Sequence, residues 1–218
     1  MRTLGSRYVL LGIIATYVLV ILGPGENASA PVRVAILGAL LAVTVRARRA
    51  SQGWAGAALG LGVVLCAATV LVGLSGSERA HAVLAGSATT LLVAGMIVAV
   101  GQAALTSRAV DGATLRGVLS VYLLLALLFG AVHQVAGQFV DGYLHGVQGP
   151  PDLSTALYFS VITLTTIGYG DITPGCDVAR AVAVTEALVG QLYLVSVVAR
   201  VVSGYRTPDT SDPSRDEP

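Results

Sequence analysis

Residues 156–174 read ALYFSVITLTTIGYGDITP, and the end of that stretch, Thr165-Thr166-Ile167-Gly168-Tyr169-Gly170-Asp171, decides how the rest of the chain is understood. It closes an apolar run from Leu153 to Ile167 that is too short to cross a bilayer. The run is also too polar to do so, carrying Ser154, Thr155, Ser160, Thr163, Thr165 and Thr166. A re-entrant helix fits such a piece. Its unwound end is tolerated at membrane depth only where protein buries it or a water-filled path bathes it.

Composition places that segment in lipid. Of 218 residues 55% are hydrophobic and 11% charged, and mean hydropathy is +0.79, too few charges to cover a soluble globule. A net charge of +1 offers no clustered basic face for a nucleic acid. Cys66 lies in an apolar run and Cys176 in a distant polar stretch, so neither a disulfide framework nor a metal site follows. The first apolar run ends in GPGEN without a small-residue cleavage site, so it is read as an anchor.

Six spans are expected, near 8–23, 31–45, 54–74, 80–105, 115–136 and 177–202, the first two short for a bilayer. Gly23-Pro24-Gly25 with Pro31, Ser75-Gly76-Ser77 and the Gly-Pro-Pro run at 149–151 mark the breaks. With the N-terminus inside, Arg2, Arg7, Arg46, Arg48, Arg49, Arg108, Arg116, Arg200, Arg206 and Arg215 are cytoplasmic and only Arg33, Arg79 and Arg180 lie outside. That bias predicts cytoplasmic termini and an outward-facing 137–176 segment. Three regions follow: a four-span part over 1–110, a pore-forming part over 111–203, and a Pro-, Ser- and Asp-rich tail over 204–218 expected to be disordered. The tail leaves no room for a ligand-binding domain.

The chemistry of Thr166, Ile167, Gly168, Tyr169 and Gly170 is that of stripping water from a cation and returning equivalent oxygens. Successive carbonyls can face one axis only if the backbone alternates in handedness, which Gly168 and Gly170 allow. Thr166 adds a hydroxyl at the inner end, with Thr165 behind it, while Ile167 and Tyr169 brace the strand from the other side. A helix over about 154–165 would aim its negative C-terminal dipole at the inner cavity, where a cation is favoured.

This stretch resembles the signature of potassium channels, T-V-G-Y-G-D, with isoleucine in place of valine. The resemblance extends over roughly residues 115–203, as outer helix, pore helix, filter and inner helix. It implies an all-α membrane protein whose filter assembles from four identical chains, with K+ held at Thr166, Ile167, Gly168 and Tyr169. Residues 1–110 match that superfamily only in number of spans, and the fourth span, AHAVLAGSATTLLVAGMIVAVGQAAL, contains no arginine. Voltage sensing needs several charges in the field, each worth roughly 2.3 kcal/mol per 100 mV, so voltage gating is not expected. The first four spans are read as a scaffold, a lipid-facing collar or a docking surface for an unidentified regulatory partner.

Asp171 is expected to head an outer-mouth network, against the plainer reading of a solvated acid. Ile162 stands where some potassium channels carry a carboxylate in the pore helix. Asp141, Asp152 and Asp177 add a weak cation-attracting field, with Asp152 a helix-cap candidate. Glu186 lies well inside the last span, where an ionisable group is costly. Either it hydrogen-bonds Thr163, Ser160 or the Tyr169 region as a filter support, or it packs protonated or nearer the mouth. Gly190 is a hinge or a close-packing position. Gln191, Leu194, Val198 and Val202 recur at helical spacing, facing a cavity and gate or else lipid and neighbouring helices. His133 is a packing residue or a proton sensor, and His81 and His145 are loop or interface residues. Trp54 and Tyr8, Tyr143, Tyr158 and Tyr205 sit where interfacial aromatics are expected.

No phosphate loop, matched nucleophile and base, or carboxylate pair points to an enzyme, and no cofactor is expected beside the permeant K+. The expectation is a passive potassium channel in the plasma membrane, with the lipid bilayer and three further copies as its partners. A non-selective cation channel and a non-conducting regulatory subunit are the rival classes.

Overall fold

The computed structural model describes residues 2–23, 26–47, 52–105 and 112–204. Six long helices and one short one make up nearly all of it: α1 (Arg2–Leu22), α2 (Glu26–Ala47), α3 (Gln52–Leu74), α4 (Glu78–Leu105), α5 (Gly112–Gly137), α6 (Leu153–Leu164) and α7 (Asp177–Gly204). The expected tail lies outside the described residues, except for Gly204.

Five helices are long and apolar enough to cross a membrane, over Ala28–Arg46, Gly56–Leu74, Glu78–Gln102, Gly112–Gly137 and Asp177–Val197. The sixth expected span, α1, offers a shorter apolar stretch, Arg7–Leu22. Helix α2 runs through Pro31, which was expected to mark a break. Proline removes only the bond to the carbonyl four residues earlier, and this close to the start of α2 that is a single lost link. Hydroxyls inside the spans are satisfied locally: Thr16, Thr44, Thr89 and Thr90 each donate to the carbonyl four residues back.

The core joins α1, α2, α4 and α5 to α6 through Ile13, Leu37, Leu92, Met96, Leu124 and Leu157, all fully buried. Small residues bring backbones together, as membrane helix pairs require. A Cβ on Gly38 of α2 would stand 2.7 Å from the Gly62 Cα of α3, and one on Gly130 of α5 would stand 3.0 Å from the Leu157 Cα of α6. The short α6 is thereby seated deep against α5. The connections on either side of α6 form a strand pair, β1 (Leu144–His145) before it with β2 (Thr173–Pro174) after it, antiparallel, with Leu144 opposite Pro174 and His145 opposite Thr173.

Candidate functional site

Helix α6 starts where Asp152, in extended conformation, accepts the Thr155 amide at 2.9 Å, the capping role foreseen for it. It stops at Leu164, and the last carbonyls, orphaned in any helix, find donors in the strand that follows. The Thr165 amide donates to the Val161 carbonyl, Thr166 to Thr163, and both Ile167 and Gly168 to Ile162, at 2.9–3.1 Å. The strand's donors therefore point back at α6. Its carbonyls from Thr166 to Gly170 have no donor among the described residues.

Handedness alternates along the same strand. Thr166, Gly168 and Gly170 have φ of 59°, 52° and 82°, and Thr166 is the one described non-glycine residue with positive φ. Glycine takes such angles freely; a threonine held there stores strain of about 1–3 kcal/mol. Glycine content foretold two of the three inversions and nothing in the sequence foretold the third. All five residues are exposed in the single chain, Ile167 at 53% and Tyr169 at 69%.

Two braces fix the outer end. The Tyr158 hydroxyl donates to Asp171 Oδ2 at 2.8 Å, and the Tyr158 ring stacks on that of Tyr169 with centroids 6.5 Å apart at 11°. Tyr158, read from sequence as an interfacial aromatic, is thus the partner of the outer acid. Accepting that bond, the carboxylate raises the Tyr158 phenol above its ordinary value. The strand pair supplies the second brace, reinforced by the Gly175 amide donating to the Tyr143 carbonyl at 2.9 Å.

Behind α6 lies a sealed polar group. Glu186 of α7 is fully buried, as are His133 of α5 and Ser160 of α6. The Ser160 hydroxyl meets Glu186 Oε1 and also the Ala126 carbonyl of α5 at 2.7 Å. His133 Nε2 lies 3.1 Å from Glu186 Oε2 and its Nδ1 lies 2.9 Å from the Tyr143 hydroxyl. The Phe159 ring meets the imidazole edge-on, centroids 5.0 Å apart. Of the three partners foreseen for Glu186, Ser160 is the one found. His133 joins from 53 residues away, a juxtaposition no local pattern announces. Tyr143 is 2% exposed, a buried link and not an interfacial aromatic, and burial pushes its phenol well above the usual tyrosine range.

Gly190 of α7 touches the end of α6. A Cβ there would lie 2.7 Å from Leu164 Cδ1 and 3.2 Å from the Leu164 carbonyl oxygen. That carbonyl accepts the Tyr122 hydroxyl at 3.1 Å. The Tyr122 ring stacks on Tyr193, whose hydroxyl reaches the Val118 carbonyl at 2.6 Å. From α1, the Tyr17 hydroxyl donates to the Leu123 carbonyl at 2.6 Å. The pore-proximal end of α6 is thus tied to α5 and α7 by phenols that sequence reading passed over. Gln191 and Leu194 are exposed on α7; the side chains of Val198 and Val202 lie outside the described residues.

His81, read as a loop or interface residue, and Arg33, counted among the outer arginines, are both buried between helices: His81 is 1% exposed within α4, and Arg33 is 1% exposed within α2, its Nε donating to Thr89 Oγ1 at 3.3 Å. His145 is exposed on the strand pair.

Comparison with known proteins bears on the same half of the chain. Residues 117–206 match a family model described as ion channel. The probable potassium channel protein 2 of Methanocaldococcus jannaschii is 44% identical over 79 residues, 35% of this chain and 23% of that protein. The two pore potassium channel c of Oryza sativa subsp. japonica is 33% identical over 84 residues, 38% of this chain and 18% of that protein. Protein LctB of Bacillus caldotenax is 46% identical over 50 residues, 23% of this chain and 37% of that protein. The chain therefore spans well under half the length of these curated relatives. No solved structure matches it.

Proposed function

Because the chain belongs to the potassium channel superfamily through its 117–206 segment, we propose that it conducts potassium passively and selectively through a pore shared by four copies. In this reading the chain crosses the plasma membrane six times with α6 re-entrant, the filter strand, Thr166 to Gly170, lies toward the outside, and both termini are cytoplasmic. The carbonyls of Thr166, Ile167, Gly168 and Tyr169 replace the water that an entering K+ sheds. Asp171 holds the outer mouth, Thr165 and Glu186 support the filter from behind, and Gln191, Leu194, Val198 and Val202 line the cavity and gate. Gly190 lets α7 lie close to α6.

The observation that carries this reading is the strand itself. The amides of Thr166, Ile167 and Gly168 are spent on α6, the backbone inverts at every second residue from Thr166 to Gly170, and the carbonyls are left for a guest. A neutral ligand would not need five such groups in a row, whereas a dehydrated cation does.

Residues 1–110 serve as a scaffold around α5 and not as a voltage sensor, since α4 carries its lone arginine, Arg79, at its first turn. Reversal potentials of the purified protein in lipid vesicles, in mixed potassium and sodium solutions, test the proposal. A reversal potential near the potassium equilibrium value is expected. One that follows both ions equally makes the chain a non-selective cation channel, and no flux makes it a non-conducting subunit.

A further inference from the structure

The sealed group behind α6 contains four contacts, and each needs one proton. A backbone carbonyl only accepts, so the contact between Ser160 and Ala126 uses the single hydroxyl proton of the serine. The contact between Ser160 and Glu186 Oε1 then has no proton unless the carboxyl brings one. With an ionised Glu186, two acceptors compete for one serine proton, whether His133 is neutral or charged. One of the two contacts then brings oxygens together with no proton between them in a buried site, which costs free energy.

We infer that Glu186 is held as a neutral carboxylic acid in a one-way chain of hydrogen bonds, Tyr143 to His133, His133 to Glu186, Glu186 to Ser160, and Ser160 to the Ala126 carbonyl. His133 is then the tautomer with its proton on Nε2, and Tyr143 donates to Nδ1. Four donors meet four acceptors with no net charge, which suits a site whose members are 0–2% exposed. Glu186 and His133 are positioning residues: they hold α6, and through it the strand at its end, against α5 and α7.

The titratable groups facing Glu186 are few. His133 faces it from α5, Tyr143, with Cys176 beside it, from the outer loops, and Tyr17 from α1. Helix α6 presents only Ser160 and Phe159 to the group. The chain ends at Tyr143, in the loop expected to face outward, and the Glu186 proton is lost toward that side once His133 changes tautomer: Tyr143 gives its proton to hydroxide, Nδ1–H passes its proton to Tyr143, and Nε2 takes the proton of Glu186. Its loss strands a carboxylate behind α6 and breaks the link to Ser160. Alkaline solution outside therefore loosens α6 and lowers conduction, a consequence that rests on the channel reading above, whereas the proton assignment does not.

The test uses the full chain in lipid vesicles, studied by infrared spectroscopy and by potassium flux. Wild type is expected to show, at neutral pH, the carbonyl stretch of a protonated carboxylic acid, absent from Glu186→Gln. Because glutamine also donates to Ser160 and accepts from His133, Glu186→Gln is expected to lose the decline of flux at alkaline pH, each protein being compared with its own flux at neutral pH. Absence of the acid band from wild type overturns the inference. So does a Glu186→Gln protein that folds and still declines with pH as wild type does. If Glu186→Gln does not fold, Ser160→Ala replaces it: removal of the acceptor must shift the acid band, and an unshifted band overturns the assignment. An acid band in a protein that carries no potassium upholds the proton assignment and overturns the channel reading.

Discussion

Substituting alanine for Gly190 separates a packing role from a hinge. The new Cβ would meet Leu164 Cδ1 at 2.7 Å, Cγ at 3.0 Å and the carbonyl oxygen at 3.2 Å, where carbon atoms settle at roughly 3.5–4.0 Å. Leu164 must withdraw by close to an ångström, yet its side chain is fully buried and its carbonyl is held by Tyr122. Overpacking of this kind costs about 1–3 kcal/mol per chain. Thermal unfolding of the assembled protein, read beside vesicle flux, measures it. Leu164→Ala alone loses about 2–5 kcal/mol, and adding Gly190→Ala to it should cost little further, because the obstructing side-chain atoms are gone and only the carbonyl oxygen at 3.2 Å remains. The coupling between the two sites is then 1–3 kcal/mol, on the order expected for residues in contact. Equal penalties in both backgrounds would refute the reasoning. A Gly190→Ala protein of unchanged stability but altered open lifetimes would assign the residue to bending instead.

Other substitutions probe other joints of the same site. Gly168→Ala puts a side chain on a backbone with φ of 52°, about 1–2 kcal/mol per chain, and is expected to abolish potassium preference in reversal-potential measurements while the helical signal in circular dichroism persists. Tyr158→Phe keeps the stack on Tyr169 but frees Asp171; current during sustained recording should fall away faster than in wild type. Tyr122→Phe removes the bond to the Leu164 carbonyl and spares the stack on Tyr193, for a loss of about 1 kcal/mol seen as a lower midpoint of thermal unfolding. Burial lifts the Tyr143 phenol above its ordinary 10.0, so the stability it contributes is complete below that pH and declines above it. The alkaline limb of a plot of unfolding temperature against pH should flatten in Tyr143→Phe.

Legibility followed chemistry that is local. The strand at 166–170 was readable because its demand on the backbone selects glycine, and the Asp152 cap because capping acts over three residues. Depth arithmetic alone raised the question of Glu186 and put Ser160 among its partners. What sequence hid was pairing across distance. His133 and Glu186 are 53 positions apart, and Tyr158 looked like any aromatic near a bilayer surface until the fold set it beside Asp171. Arg33 and His81 fell inside the expected spans, but no local pattern announced that neighbouring helices would bury them, and hydrogen bonding carries α2 on through the Pro31 that was expected to mark a break. Strands of two residues show no alternation, so the β1–β2 pair was invisible.

The unroofed flank of the filter strand has a bearing on biogenesis. A solitary chain fresh from the insertion machinery carries a row of main-chain acceptors that lack donors and a tyrosine ring left largely bare, a burden of several kcal/mol for each such group that meets hydrocarbon. In the proposed assembly of four, neighbouring copies screen that row from lipid and leave it to water and the ion. Orphan copies are accordingly the species a quality-control protease should recognise, and dilution in the membrane should shorten their lifetime.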